Sequence, residues 1–170
     1  MIYKTIIIED EHRLREALSI MLEMVCGDSV QIIGYAESVD EAVKMVDRLK
    51  PDLVFMDIML KDGTGFEVLQ QISFNAFHLI FTTAFEQHAI NAFKYSAVDY
   101  LLKPIDPQEL KTAIDRIAIL EERVLEKQQI TELQSNLSKT PDRLVLPALH
   151  HQPGPLEGDS PDAGSCRLCN

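Results

Sequence analysis

The sequence predicts an α/β fold, a doubly wound five-stranded parallel sheet with helices on both faces. Three observations predict it. Five short apolar runs recur between residues 5 and 102. These runs carry few polar residues, which marks strands buried on both faces. Between them lie segments with apolar residues three and four apart, the period of an amphipathic helix, so strand and helix alternate.

The elements follow in order. Residues 5–8 form an apolar run that ends abruptly in Glu9-Asp10-Glu11. Leu14, Ala17, Leu18, Met21, Leu22 and Val25 then mark one helix face. Residues 30–36 read as the second strand. Ser38 and Glu41 have the spacing of a capping box, opening a helix that runs to about Lys50 and is stopped by Pro51. Residues 53–56 form the third strand, ending at Asp57. A loop with Gly63 and Gly65 leads into a helix through Phe66, Leu69 and Ile72. Residues 78–82 are the fourth strand, 87–95 a helix and 100–102 a short fifth strand. Asp106, Pro107 and Glu109 begin the last helix with a cap, a proline at the first helical position and a glutamate at the third. The expected strand order is 2-1-3-4-5, the flavodoxin-like winding, whose ligand crevice lies at the carboxyl ends of strands 1 and 3.

The last helix continues past the point where such a domain is complete. Leu110, Ala113, Ile114 and Ile117 are placed to pack on the sheet, and Ile130, Leu133 and Leu137 follow at coiled-coil spacing. The interval from Val124 to Ile130 breaks a strict heptad, so the extension reads as a helical linker. The expected organisation is a domain over 1–123, a helical linker over 124–140, the possible start of a C-terminal output domain over 141–149, and a disordered or foreign tail over 150–170. Proline and glycine punctuate that tail without a period.

Composition excludes several function classes. Of 170 residues, 46% are hydrophobic and 25% charged, enough for a core in one domain with appendages. No apolar run is long enough to cross a bilayer and no leader peptide opens the chain, so a cytoplasmic protein without membrane contact is expected. The net charge of -11 argues against this chain gripping nucleic acid by itself, because phosphate contacts dominate non-specific affinity. Cys166 and Cys169 form C-x-x-C without a second ligand pair, too little for a zinc or redox site, and Cys26 reads as a small buried residue. His12, His78, His88, His150 and His151 all read as surface or packing residues.

Chemistry concentrates at the strand ends. Glu9 and Asp10 follow strand 1 and Asp57 ends strand 3, so three carboxylates meet in the predicted crevice. Clustered acids repel, and a hard divalent cation is the usual remedy; magnesium suits a few carboxylates, a backbone carbonyl and retained waters. Taken alone, Glu9 to Glu11 would only complement a helix N-terminus, and Asp57 beside them tips the balance. Strand 4 ends in Thr82-Thr83-Ala84. Thr83 offers a hydroxyl at the same sheet edge, although threonine in a strand is ordinarily there for its β-branch. Strand 5 ends in Lys103-Pro104, a cation suited to pair with Asp57 or with a phosphoryl oxygen.

Ile8-Glu9-Asp10-Glu11, Asp57 with Gly65 eight residues on, Thr83-Ala84 and Tyr100-Leu101-Leu102-Lys103-Pro104 together resemble the receiver domains of two-component response regulators, across about residues 1 to 123. The stretches 83–93 and 99–105 resemble in particular the LytTR (AlgR/LytR-type) transcriptional regulators, in which a receiver precedes a DNA-binding domain. The resemblance implies that Asp57 is the phosphoacceptor, that Asp10, Asp57, Glu9 and the backbone carbonyl of Met59 hold Mg2+, that Thr83 and Lys103 bind the phosphoryl group, and that Tyr100 is the aromatic switch. It implies a cis Lys103-Pro104 bond. It also implies a sensor histidine kinase as partner and DNA contact only through an absent C-terminal domain. The apolar Phe93, Tyr95 and Tyr100, with Ile130, Leu133 and Leu137 beyond the domain, point to a homodimer through the 87–95 helix, strand 5, the last helix and its extension, unless those aromatics belong to the core. Such a chain is not an enzyme beyond its own phosphorylation and dephosphorylation. Two positions depart from the family: Lys61 stands where proline is frequent, which leaves that loop freer, and Glu9 replaces the commoner aspartate.

Two other readings compete. An aspartyl-nucleophile phosphatase of the haloacid-dehalogenase type needs D-x-D, and the residue two after Asp57 is Met59. A receiver-like interaction module that is never phosphorylated would not need the Asp57, Thr83 and Lys103 set.

Overall fold

The computed structural model describes residues 1–85 and 95–138, with side chains through 135. The expected helix at 87–95, the side chain of Leu137, the segment 141–149, the tail with Cys166 and Cys169, and His88, His150 and His151 lie outside the described residues.

In chain order the elements are β1 (Tyr3–Ile8), α1 (His12–Cys26), β2 (Val30–Ala36), α2 (Val39–Leu49), β3 (Leu53–Asp57), α3 (Gly65–Gln71), β4 (His78–Thr83), β5 (Asp99–Leu102) and α4 (Pro107–Ser138). The five strands form one sheet in the order β2-β1-β3-β4-β5, every pair parallel. Two further two-residue strands, Met59–Leu60 and Gly63–Thr64, pair antiparallel in the loop after β3.

Alternation along β1 splits the core in two. Ile7 faces one layer with Leu18, Leu22, Phe55, Ile80, Leu110 and Ile117. Ile6 and Ile8 face the other with Val46, Val54, Met56, Val68 and Phe81. Both faces of the sheet are thus covered, which is why its strands lack polar residues. Each such side chain contributes about 1.5–3 kcal/mol on full burial.

Several local expectations need correction. The buried stripe of α1 is Leu18, Leu22 and Cys26, flanked by Met21 and Val25. Leu14 is 37% exposed and Ala17 is also exposed. At α2 the Ser38 hydroxyl accepts from the Glu41 N–H at 3.3 Å, but the Glu41 carboxylate reaches past Ser38 to accept from the Glu37 N–H at 3.0 Å, so the box is half formed. A complete capping box opens α3 instead, between Thr64 and Glu67. Ile72 caps that helix from just outside it; Gly65 and Val68 are its buried residues, and Phe66, Leu69 and Ile72 pack partly buried against the same core, as the sequence predicts. At the start of α4 the Asp106 carboxylate accepts from the N–H groups of Gln108 and Glu109 at 2.8 and 3.1 Å, as the sequence predicts. Among the described residues no helix is long and apolar enough to cross a membrane.

Candidate functional site

Strand register assembles the site. Ile8 pairs with Met56, so Glu9 emerges level with Asp57. Asp57 pairs with Thr82, and Thr83 pairs with Leu102, which puts Lys103 one residue beyond. Four consecutive sheet ends therefore deliver Glu9 and Asp10, Asp57, Thr83 and Lys103 to one edge, at the winding's crevice.

Both carboxylate oxygens of Asp57 and of Glu9 have partners. Asp57 is 6% exposed and Glu9 3%. The Lys103 ammonium lies 2.6 Å from Oδ2 of Asp57 and also donates to Oε2 of Glu9. Oδ1 of Asp57 accepts from the Met59 N–H at 3.1 Å, and Oε1 of Glu9 accepts from the Glu11 N–H at 3.1 Å. Glu9 therefore serves the approach to α1 and the acid cluster at once. Burial pushes the Glu9 carboxyl up, and the hydrogen bond and charge of Lys103 pull it back only in part. Burial also pulls the Lys103 ammonium down, but its hydrogen bonds to Asp57 and Glu9 outweigh that, and its pKa is raised. Lys103 is thus a firmly charged cation between two buried carboxylates.

Ligand oxygens of Glu9, Asp10 and Asp57 all lie within 4.8 Å of one another. Opposite ligands of magnesium stand about 4.2 Å apart, twice the ~2.1 Å bond. Three carboxylates against one ammonium leave the cluster with excess negative charge. Donor type, spacing and charge therefore all suit a divalent cation.

The far wall is built from backbone. Thr83 is fully buried, and its Oγ1 accepts from the Phe85 N–H at 3.3 Å. The Tyr100 hydroxyl donates to the Phe85 carbonyl. One residue, Phe85, therefore joins the Thr83 hydroxyl to the Tyr100 ring. The Lys103 N–H donates to the Thr83 carbonyl at 2.8 Å, and the Lys103-Pro104 bond is cis.

Gly65 is legible as a structural need. A Cβ there would stand 2.6 Å from the Asp57 carbonyl oxygen and 2.8 Å from Cγ of Met56, closer than atoms pack. The loop carrying Lys61 is also more tied than its missing proline suggests. It holds the short antiparallel pair, and the Asp62 carboxylate accepts from the Val39 N–H at 2.9 Å. Tyr95 stacks on Phe66 with ring centroids 5.2 Å apart. Tyr100 likewise packs against the core.

Sequence reasoning missed Arg15. From the first turn of α1 its Nη1 donates to the Glu9 carbonyl at 3.0 Å, and its Nη2 pairs with Glu37 at 2.8 Å. No local pattern announces such a bond to a backbone carbonyl.

Comparison with known proteins agrees with this arrangement. The chain is 34% identical over 129 residues to the sensory transduction protein LytT of Bacillus anthracis, covering 74% of this chain and 51% of that protein. It is 35% identical over 134 residues to the transcriptional regulatory protein BtsR of Salmonella typhi, covering 78% and 54%. The chain thus spans about half the length of these relatives. The response regulatory domain of protein mrkE from Klebsiella pneumoniae superimposes with a TM-score of 0.62 at 29% identity, over 71% of this chain and 98% of that domain. Residues 5–115 match the response regulator receiver domain as a family, and the chain belongs to that family.

Proposed function

We propose that the chain is a phosphate-accepting switch whose acceptor is Asp57, served by a sensor histidine kinase in the cytoplasm and controlling a transcriptional output domain. The observation that carries this reading is the Asp57 carboxylate between Lys103 and the Glu9–Asp10 pair, buried at the crevice edge. A carboxylate oxygen of Asp57 attacks phosphorus, the bond from phosphorus to the donor imidazole nitrogen breaks, and the electron pair leaves with the imidazole. Lys103 turns toward a phosphoryl oxygen and offsets its charge. Asp10, Asp57, Glu9 and the Met59 carbonyl would hold Mg2+, which supplies further positive charge at the phosphoryl oxygens.

The acyl phosphate adds about -1.5 to -2 of charge. The Thr83 hydroxyl turns to donate to it and gives up the Phe85 N–H. Phe85 then carries that change to Tyr100 through its carbonyl. This is a local electrostatic event biasing a two-state element.

The domain proper spans 1–123 and the linker 124–140, with the output region starting after it. DNA contact falls to that region, since this chain is acidic. A second copy joins through the strand 5 and α4 side and the linker, where Ile130 is 55% and Leu133 62% exposed. Light scattering with and without beryllofluoride tests that dimer, and a monomer in both states at high concentration would exclude it.

Incubation with acetyl phosphate and magnesium, followed by intact mass measurement, tests the function. One phosphoryl group should accumulate on the protein. Steady hydrolysis of acetyl phosphate without a labelled protein would favour a phosphatase, and neither result a module that is never phosphorylated.

A further inference from the structure

Arg15 touches three things at once. Its Nη1 donates to the carbonyl of the peptide that joins Glu9 to Asp10, at 3.0 Å. Its guanidinium carbon stands 5.8 Å from the centre of the Tyr35 ring, a cation–π distance. Its Nη2 lies 2.8 Å from Oε1 of Glu37, in the turn between β2 and α2. The other oxygen of Glu37 is 3.6 Å from Nζ of Lys61, in the loop that follows Asp57. The hydrogen bond and charge of Arg15, with Lys61 adding to them, hold the Glu37 carboxyl below its usual range.

These contacts link the Glu9–Asp10 peptide, the turn after β2 and the loop after Asp57. The Glu9 N–H already donates to the Ala36 carbonyl at 2.9 Å, on the side of Glu9 away from Asp10. Arg15 holds the next peptide plane, the one that leads into Asp10. The Arg15 side chain is only 13% exposed, so its planar fork is held in place by what it touches. Tyr35 is itself tethered: its hydroxyl lies 3.3 Å from that of Ser19, whose own proton goes to the Arg15 carbonyl at 2.8 Å.

We propose that Arg15 is a positioning residue for the cation site: it fixes the Glu9–Asp10 peptide and, through Glu37 and Lys61, straps that turn to the loop after Asp57. This rests on the magnesium-dependent reading of the acid cluster. Electrostatics and positioning then predict opposite signs. A guanidinium beside three carboxylates repels an incoming cation, so deleting its charge should tighten magnesium binding if charge were all that mattered. If Arg15 holds the acids in register, deleting it weakens binding instead.

The test is titration calorimetry of the unphosphorylated protein with magnesium chloride, on wild type, Arg15→Gln and Arg15→Lys, with circular dichroism to verify the fold of each. Arg15→Gln should bind about tenfold more weakly, the lower end of the loss on removing a group that orients a metal ligand. Arg15→Lys keeps the charge but cannot span both partners, and should fall between the two. Arg13→Gln, also in the first turn of α1 and exposed, serves as the charge control and should bind no more weakly than wild type. Equal or tighter magnesium binding by Arg15→Gln overturns the proposal while leaving the cation site intact. Absence of magnesium binding in wild type overturns the cation site and this inference together.

Discussion

Lys103 closes on Asp57 at 2.6 Å across 46 residues of sequence, and the same ammonium reaches Glu9. All three side chains are largely buried. Removing one partner of a buried ionic group strands the others, at a cost of about 3 kcal/mol or more. Lys103→Met should therefore lower the melting temperature in metal-free buffer. Magnesium replaces part of the lost positive charge, so its stabilising effect should be larger in the variant than in wild type. Thermal melts with and without magnesium chloride check this; equal shifts in both proteins would separate Lys103 from the cation site.

Gly65→Ala tests the packing behind Asp57. The new methyl would meet the Asp57 carbonyl oxygen, which is backbone and cannot swing aside. Overpacking of this kind costs about 1–3 kcal/mol. The urea midpoint should fall accordingly and phosphorylation should slow as β3 shifts. A variant as stable and as fast as wild type would mean the loop relaxes freely.

The strands and the meeting of Glu9, Asp10, Asp57, Thr83 and Lys103 at one sheet edge were legible in the sequence for one reason, while alternation alone did not fix the strand order. Apolar runs such as 53–56 end sharply in a charged residue, and parallel register carries each run's end to the same edge. What was not legible depends on geometry without a local period. The buried face of α1 is Leu18, Leu22 and Cys26, and it leaves out Leu14 and Ala17. Thr64 and Glu67 carried a capping-box spacing, but two nearby glycines made the segment read as loop. Arg15 binds a carbonyl, which leaves no mark in the sequence, and Tyr3 meets Glu121 across 118 residues.

That last contact carries a pH dependence. The Tyr3 hydroxyl donates to Oε2 of Glu121 at 2.9 Å, and His78 Nε2 lies 3.0 Å from the other oxygen. Burial, then the hydrogen bond and charge of Glu121, push the Tyr3 hydroxyl up from 10.0 to about 12. Below pH 10 both folded and unfolded chains keep this proton, and the contribution is complete. As pH rises from 10 through 12 the unfolded chain loses the proton first, and this contribution to stability is lost. Tyr3→Phe should remove that part of the decline. Urea midpoints from pH 9 to 12 decide it: parallel curves for the two proteins would show that Tyr3 does not contribute.

Lifetime of the phosphorylated state should depend on Met59 and Phe85. Both are bulky, apolar and nearly half exposed, at 45% and 44%, two residues after Asp57 and Thr83. Neither side chain can orient a water for in-line attack, and both can exclude one. A Met59→Asn, Phe85→Glu double variant should lose its phosphoryl group faster than wild type at matched magnesium occupancy. Equal decay in a phosphate-release assay would show that these side chains do not gate the water.

The central claim is that Asp57 receives the phosphoryl group. Borohydride reduces an aspartyl phosphate to homoserine, and peptide mass mapping then locates the reduced residue. After treatment with acetyl phosphate and magnesium, residue 57 should read as homoserine in wild type, and Asp57→Asn should yield none anywhere. Homoserine at Asp10, or an unreduced Asp57 in protein shown to carry phosphate, would contradict the account.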